Sequence, residues 1–111
     1  MTNSRAKGKR GELEFAAAMR EHGFTARRGV QYDGSKGNPD VIIEELPQVH
    51  FEVKRYGEKK FTRKVLEDAV AQATRDARPG EVWAVVYRED GNTTWRVIME
   101  LPAWVEVMKR G

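Results

Sequence analysis

The run Val82-Trp-Ala-Val-Val-Tyr87 constrains this chain most: six consecutive residues that are apolar, β-branched or aromatic fit only an interior strand. After it, Glu89-Asp90-Gly91-Asn92 carries an Asp-Gly hairpin signal, so Thr93 to Met99 is expected to form the partner strand. A second pair lies upstream. Val41-Ile42-Ile43 reads as buried strand, with Pro39 tolerable at its start. Glu44-Glu45-Leu46-Pro47 reads as a turn leading into the strand Val49 to Lys54, so the two are expected to pair as an antiparallel hairpin. Phe24 to Arg28 is a candidate short strand.

Helical segments separate these strands. Gly11 to His22 is rich in Glu, Leu, Ala, Met and Arg and is stopped by Gly23. On a helical projection Glu12, Phe15, Ala16 and Met19 share one stripe, while Glu14, Ala17, Ala18 and Glu21 lie on a more polar side. Thr62 to Arg78 places Leu66, Ala69, Val70, Ala73 and Ala77 at helical spacing before Pro79-Gly80. Pro102 suits the first turn of a short final helix bearing Trp104, Val105, Val107 and Met108. The order helix, strands, helix, strands, helix implies an α/β fold, a central mixed β-sheet flanked by helices. With 111 residues, 40% of them hydrophobic, the chain reads as one domain, residues 1–111, whose first ten residues form a basic arm that can be flexible.

Composition excludes several chemistries. No cysteine is present, so disulfides, thiolate zinc sites, iron-sulfur clusters and a cysteine nucleophile are ruled out. With only His22 and His50, one chain cannot supply a three-histidine zinc site. The first ten residues lack the apolar core of a secretory signal, and no later segment has the length of a membrane span, so a cytosolic protein with no membrane partner is expected.

The upstream strands carry groups that a buried sheet does not ordinarily tolerate. Glu52 and Lys54 share one face of their strand about 7 Å apart, with Phe51 and Val53 on the other. If Asp40 lies nearby, two carboxylates converge on a hard divalent cation such as Mg2+, and the Lys54 ammonium can orient or stabilise an attacking water. That chemistry suits phosphodiester hydrolysis. Glu12, heading an apolar stripe, is either a third acid aimed at the same ion or a first-turn glutamate favoured by the helix dipole. Gln72, on the flank of a helix face made mostly of small residues, lies either near the acidic strands or on the surface as an ordinary amide.

The net charge is only +3, but the cations cluster. Arg5, Lys7, Lys9 and Arg10 precede the first acid, and Lys54, Arg55, Lys59, Lys60, Arg63 and Lys64 crowd another short stretch. Basic runs beside a carboxylate pocket fit a polyanion gripped through its phosphates; a solvated surface is the alternative. The Gly- and Ser-containing segment 29–39 is either a loop that closes over a ligand, with Arg27, Arg28, Tyr32, Ser35 and Lys36 in reach of phosphates or sugars, or a plain connection.

Taken in order, Lys7-Gly8, Glu12, Glu21-His22-Gly23-Phe24, Arg27-Arg28, Pro39-Asp40 and Glu52-Val53-Lys54 resemble the archaeal-type Holliday junction resolvases of the PD-(D/E)XK nuclease superfamily. The Glu-x-Lys element alone arises readily in a chain with 33% charged residues; the ordered set is more specific. Gln72 resembles the helical glutamine of many superfamily members. The resemblance implies a restriction-endonuclease-like fold and a Mg2+-dependent endonuclease, with Mn2+ as a substitute, acting on branched DNA in recombination and repair. It implies that Glu12, Asp40, Glu52 and the Val53 carbonyl hold the metal, that Lys54 positions water or stabilises phosphate charge, and that Ser35 stands for the loop serine. Such resolvases act as homodimers, for which Trp95, Trp104, Val107 and Met108 are candidate anchors or, equally, core residues. A virus-type replication and repair nuclease, a flap or restriction-like enzyme, and a noncatalytic DNA-binding module remain as alternatives.

Overall fold

The computed structural model describes residues 4–29, 38–57 and 60–110, with side chains described from residue 8 onward. Three helices, α1 (Ser4–Glu21), α2 (Arg63–Asp76) and α3 (Leu101–Arg110), and five strands, β1 (Ala26–Arg28), β2 (Val41–Ile43), β3 (Val49–Tyr56), β4 (Val82–Glu89) and β5 (Arg96–Ile98), follow in the order α1-β1-β2-β3-α2-β4-β5-α3. The strands form one mixed sheet in sequence order. All neighbours are antiparallel except β3 and β4, which run parallel from Val49↔Val82 to Tyr56↔Glu89. A parallel pair needs a long crossover, and α2 supplies it.

Val82 to Tyr87 is indeed interior strand, with Ala84 through Tyr87 buried. The two hairpin expectations hold for β2 with β3 and for β4 with β5, though β5 is confined to Arg96–Ile98, shorter than the Thr93 to Met99 expected. Helix α1 begins at Ser4, well before Gly11, so the stretch read as an arm that can be flexible is mostly helix. Arg, Ala and Lys are good helix formers, and Gly8 is tolerated within the helix rather than terminating it. Gly11 has a specific reason to be glycine: a Cβ there would stand 2.7 Å from Cγ of Arg55.

The sheet has two differently built faces. Toward α1 it presents Val49, Phe51, Val53, Ala84 and Val86, which cluster with Phe15, Ala16, Ala26, Val41 and Ile43. Trp95, Met99 and, from α3, Val107 pack onto this cluster. Toward α2 the apolar cluster is small: Ala69, Ala73 and Val85, flanked by Val70, Trp83 and Ile98. Strand alternation sends His50, Glu52, Lys54 and Tyr56 to this second face. Alanines at 69 and 73 let α2 lie close enough to bury what is beneath it. Thr62 caps α2, its side chain accepting the Val65 N–H.

Of the proposed dimer anchors, Trp95, edge-on to Phe15 at 5.4 Å, and Val107 are both partly buried against the monomer's core cluster. Trp104 and Met108 are exposed, at 49% and 59%. Among the described residues, no helix is long and apolar enough to cross a membrane.

Candidate functional site

Short β2 stops at Val41↔Phe51, so the edge of β3 beyond it has no strand partner on that side. Asp40 fills this notch. Its backbone N–H donates to the Phe51 carbonyl at 2.9 Å, its carbonyl accepts from Gly29 N–H at 2.8 Å, and its side-chain Oδ2 accepts from Val53 N–H at 2.9 Å. Gly29 approaches so closely that a Cβ would fall 2.0 Å from the Pro39 carbonyl oxygen, which excludes any larger residue without backbone movement. Three backbone contacts thus fix Asp40 beside the Glu52-Val53-Lys54 segment. In a strand the C=O of a residue leaves on the same edge as its N–H, so Val53 also turns its carbonyl toward the notch.

A pocket of about 330 Å³ opens here, lined by Gly8 and Glu12 of α1, Asp40, Val53, Lys54 and Arg55 of β3, and Gln72 of α2. Lys54 Nζ donates to Gln72 Oε1 at 3.0 Å, which holds the ammonium at the mouth and places Gln72 in the site rather than on the open surface. Glu52 lies beneath, only 1% exposed. Asp40 is acid-weak for a carboxyl: its pKa is pushed up to about 7, chiefly by burial, then by the charge of Glu52, with further contributions from Glu12 and a hydrogen bond to Glu52, against the lowering effect of the Val53 N–H. Burial and the neighbouring carboxylates thus disfavour the ionised form of Asp40.

The structure brings Asp40, Glu52, Val53, Lys54 and Gln72 together, and puts Glu12 on the pocket wall. Glu12 does not point freely inward, because its Oε1 accepts from Arg28 Nε at 2.7 Å. Among the described residues, the metal-type donors whose atoms lie within 4.8 Å of one another are those of His50, Glu52 and Asp76, not the set Glu12, Asp40 and Glu52. His50 is the residue that sequence reasoning passed over. Its alternation with Glu52 and Lys54 on one strand face was legible in His50-x-Glu52-x-Lys54, and it is fully buried, with Nε2 3.0 Å from Glu52 Oε1. Burial lowers the imidazole pKa, yet the hydrogen bond to Glu52 and the charges of Glu52, Glu81 and Asp76 outweigh that effect, and the net shift is upward.

The basic candidates divide. Lys9, Arg10, Lys60 and Arg63 are exposed. Arg27 pairs with Glu44 at 3.0 Å, and Arg28 is engaged by Glu12. Arg55 is not a free surface cation: its guanidinium, 10% exposed, is bound by Glu14 and by Asp90 Oδ1 at 2.6 Å. Glu14, placed on the polar side of α1 by its spacing, also holds Arg88 at 3.1 Å, so it faces the C-terminal ends of β3 and β4. Tyr32, Ser35, Lys36 and Lys59, and the side chains of Arg5 and Lys7, lie outside the described residues.

The fold and site define an α/β protein with a five-stranded mixed sheet, two helical layers and an acid-lined notch at the edge of β3. No family model, curated protein or solved structure matches the chain.

Proposed function

We propose that this chain is a metal-dependent, structure-selective DNA endonuclease of the restriction-endonuclease-like type, hydrolysing phosphodiester bonds at four-way junctions. The observation that carries the reading is the pocket in which Asp40, fixed by Val53 N–H, stands beside buried Glu52 and a Lys54 ammonium tethered to Gln72.

The donor set fits a hard divalent cation. Carboxylates and a strand-edge carbonyl are oxygen ligands of the kind Mg2+ and Mn2+ prefer, and burial followed by the charge of Glu52 disfavours the Asp40 carboxylate, a cost such an ion would offset. Asp40, Glu52 and the Val53 carbonyl would hold it, with Glu12 joining after release from Arg28. When bound, the ion supplies Lewis-acid stabilisation of phosphate oxygens and eases deprotonation of water. The remaining work falls to the chain. Lys54, kept in place by Gln72, offers a positive charge where the phosphate gains negative charge and a donor that can orient the attacking water. Exposed Lys9, Arg10, Lys60 and Arg63 would supply phosphate contacts. A two-fold dimer would pair two such sites on a branched substrate, with the exposed Trp104 and Met108 available for the interface.

The test is a Mg2+-dependent cleavage assay on four-way junction, fork, flap, single strand and duplex. Preferential nicking of the junction is the expected result; preference for fork or flap would move the chain to a repair nuclease of the same superfamily. One observation favours a noncatalytic DNA-binding module: the Glu12–Arg28 pair uses an acid structurally. A binding module would retain junctions in EDTA and leave them intact after Mg2+ is added.

A further inference from the structure

Behind the notch, on the α2 side of Glu52, four ionisable groups meet. His50 Nε2 is 3.0 Å from Glu52 Oε1, and a carboxylate oxygen of Asp76 lies within 4.8 Å of both donors. His50 Nδ1 points toward Glu81 Oε1 at 3.7 Å but has no hydrogen-bond partner, although His50 is fully buried. Glu81 is itself positioned by the turn after α2, its Oε1 accepting from Arg78 N–H at 2.8 Å. Asp76 is the last residue of α2, where the helix dipole disfavours a carboxylate. Among the described residues, neither Glu52 nor Asp76 forms an ion pair with a lysine or arginine.

A tautomer with Nδ1–H directed at Glu81 leaves the Nε2 lone pair facing the Glu52 carboxylate at 3.0 Å. Two acceptors cannot stay at that distance without a cation between them. A proton on Nε2 can fill the gap, but it leaves the buried Nδ1 without a partner; a metal on Nε2 instead frees Nδ1–H to turn toward Glu81, which would have to close from 3.7 Å to accept it, as the carboxylates behind metal-binding histidines do. We propose that His50 Nε2, Glu52 and Asp76 form a second divalent-cation site, selective for a borderline ion such as Zn2+ over Mg2+, with Glu81 as the carboxylate that orients His50. The ligand set supports the selectivity, because imidazole suits Zn2+ whereas Mg2+ seeks oxygen and retains its waters. Glu52 then stands between two sites: one oxygen meets His50, and the carboxyl also interacts with Asp40. Only this link to the Asp40 pocket rests on the nuclease reading. The buried site itself stands apart from cleavage.

The test uses the full chain, stripped with EDTA, and titration calorimetry with Zn2+ in excess Mg2+, so that the oxygen-only pocket is occupied. One Zn2+ per chain is expected to bind. Asp76→Asn, which leaves the buried pair in place, should weaken this binding by at least about a hundredfold, and Glu81→Gln by about 10- to 100-fold. In 15N-labelled protein, Zn2+ should shift the Nε2 resonance of His50, assigned by its loss in His50→Gln, while exposed His22 serves as control. No Zn2+ binding, undiminished affinity in Asp76→Asn, or binding abolished by Asp40→Asn but kept in Asp76→Asn would each overturn the site. So would an unmoved His50 Nε2, which leaves a proton as the bridging cation. Because nothing in this experiment contains DNA, its failure is separate from failure of the cleavage assay.

Discussion

On the α1 side of the sheet, Phe15 meets Phe51 at 5.7 Å and Trp95 at 5.4 Å, and the surrounding side chains of β2, β3 and β4 are apolar. On the α2 side, the same strand β3 sends His50, Glu52 and Lys54 beneath a helix that contributes only alanines to the buried layer. One face gains its stability from area removed from water. The other accepts buried charge, which costs free energy unless it is partnered, and its partners are a histidine, a glutamine and backbone N–H groups. The contrast suggests that stability and chemistry are divided across a sheet one strand thick, with β3 serving both.

The largest expected effect tests that division directly. Phe15→Ala should lower unfolding free energy by about 3–5 kcal/mol, as measured by urea denaturation, because it deletes the centre of an aromatic cluster. Lys54→Met should change stability by less than about 1 kcal/mol, since its partly exposed ammonium loses a single side-chain partner. On the proposed nuclease reading, its cleavage rate, by contrast, should fall about 10²- to 10³-fold, the usual effect of removing one positioned charge donor. A Lys54 variant as unstable as the Phe15 variant would erase the distinction between the faces.

Much of this division could be read from the chain. Alternation in Phe51-Glu52-Val53-Lys54 correctly assigned opposite faces, and the Phe15, Ala16 and Met19 stripe marked the inward side of α1. Gln72 could not be settled by spacing, because helical periodicity gives a face but not the neighbour's reach; only the tether to Lys54 decides it. Glu14 went astray for a related reason. A helical projection sorts residues about one axis, whereas Glu14 lies at the C-terminal ends of β3 and β4, where Arg55 and Arg88 arrive from strands 41 and 74 positions away. Glu12 was recognised as a residue with two readings, and the structure shows it between them, on the pocket wall yet paired with Arg28. His50 carried a signal in its alternation with Glu52, but a histidine inside a strand is more often core than ligand, and no sequence pattern announces Asp76 and Glu81 beside it.

Acidity offers a second way to sharpen the comparison. Asp40 has its pKa raised from the ordinary carboxylate value of 3.8 to about 7, so the metal-free fold favours its protonated form. Its contribution to stability is greatest below pH 3.8 and declines as pH rises toward about 7, because the folded state then holds a proton that the unfolded state has released. Asp40→Asn should therefore raise the melting temperature at pH 8 relative to wild type and leave it little changed at pH 4. On the proposed metal reading, Mg2+ should reverse the wild-type trend, since the ion would bind the carboxylate. Below about pH 7, Mg2+ affinity should drop about tenfold per pH unit as one proton competes for each ion. Calorimetry in buffers of different ionisation enthalpy would count that proton; a count of zero at pH 6 would mean that Asp40 is not a ligand.

The smallest effects concern the cations at the margins of the two faces. Arg63, at the start of α2, is exposed and held only by an i,i+4 pair with Glu67 at 2.8 Å, a contact worth about 0.3–0.5 kcal/mol. So weak a hold leaves it free to meet a phosphate. Arg55 projects to the α1 side and is bound by Glu14 and Asp90 in a nearly buried position, so its removal deletes two ion pairs at once. Arg63→Ala should thus reduce the slope of log K against log salt for junction binding in EDTA by about 0.9, the share of one phosphate contact, while costing no more than about 0.5 kcal/mol of stability. Arg55→Ala should do the opposite, destabilising the fold while leaving the slope as it was. If the slope instead falls with Arg55→Ala and not with Arg63→Ala, DNA approaches from the α1 side, and the assignment of chemistry to the α2 face is wrong.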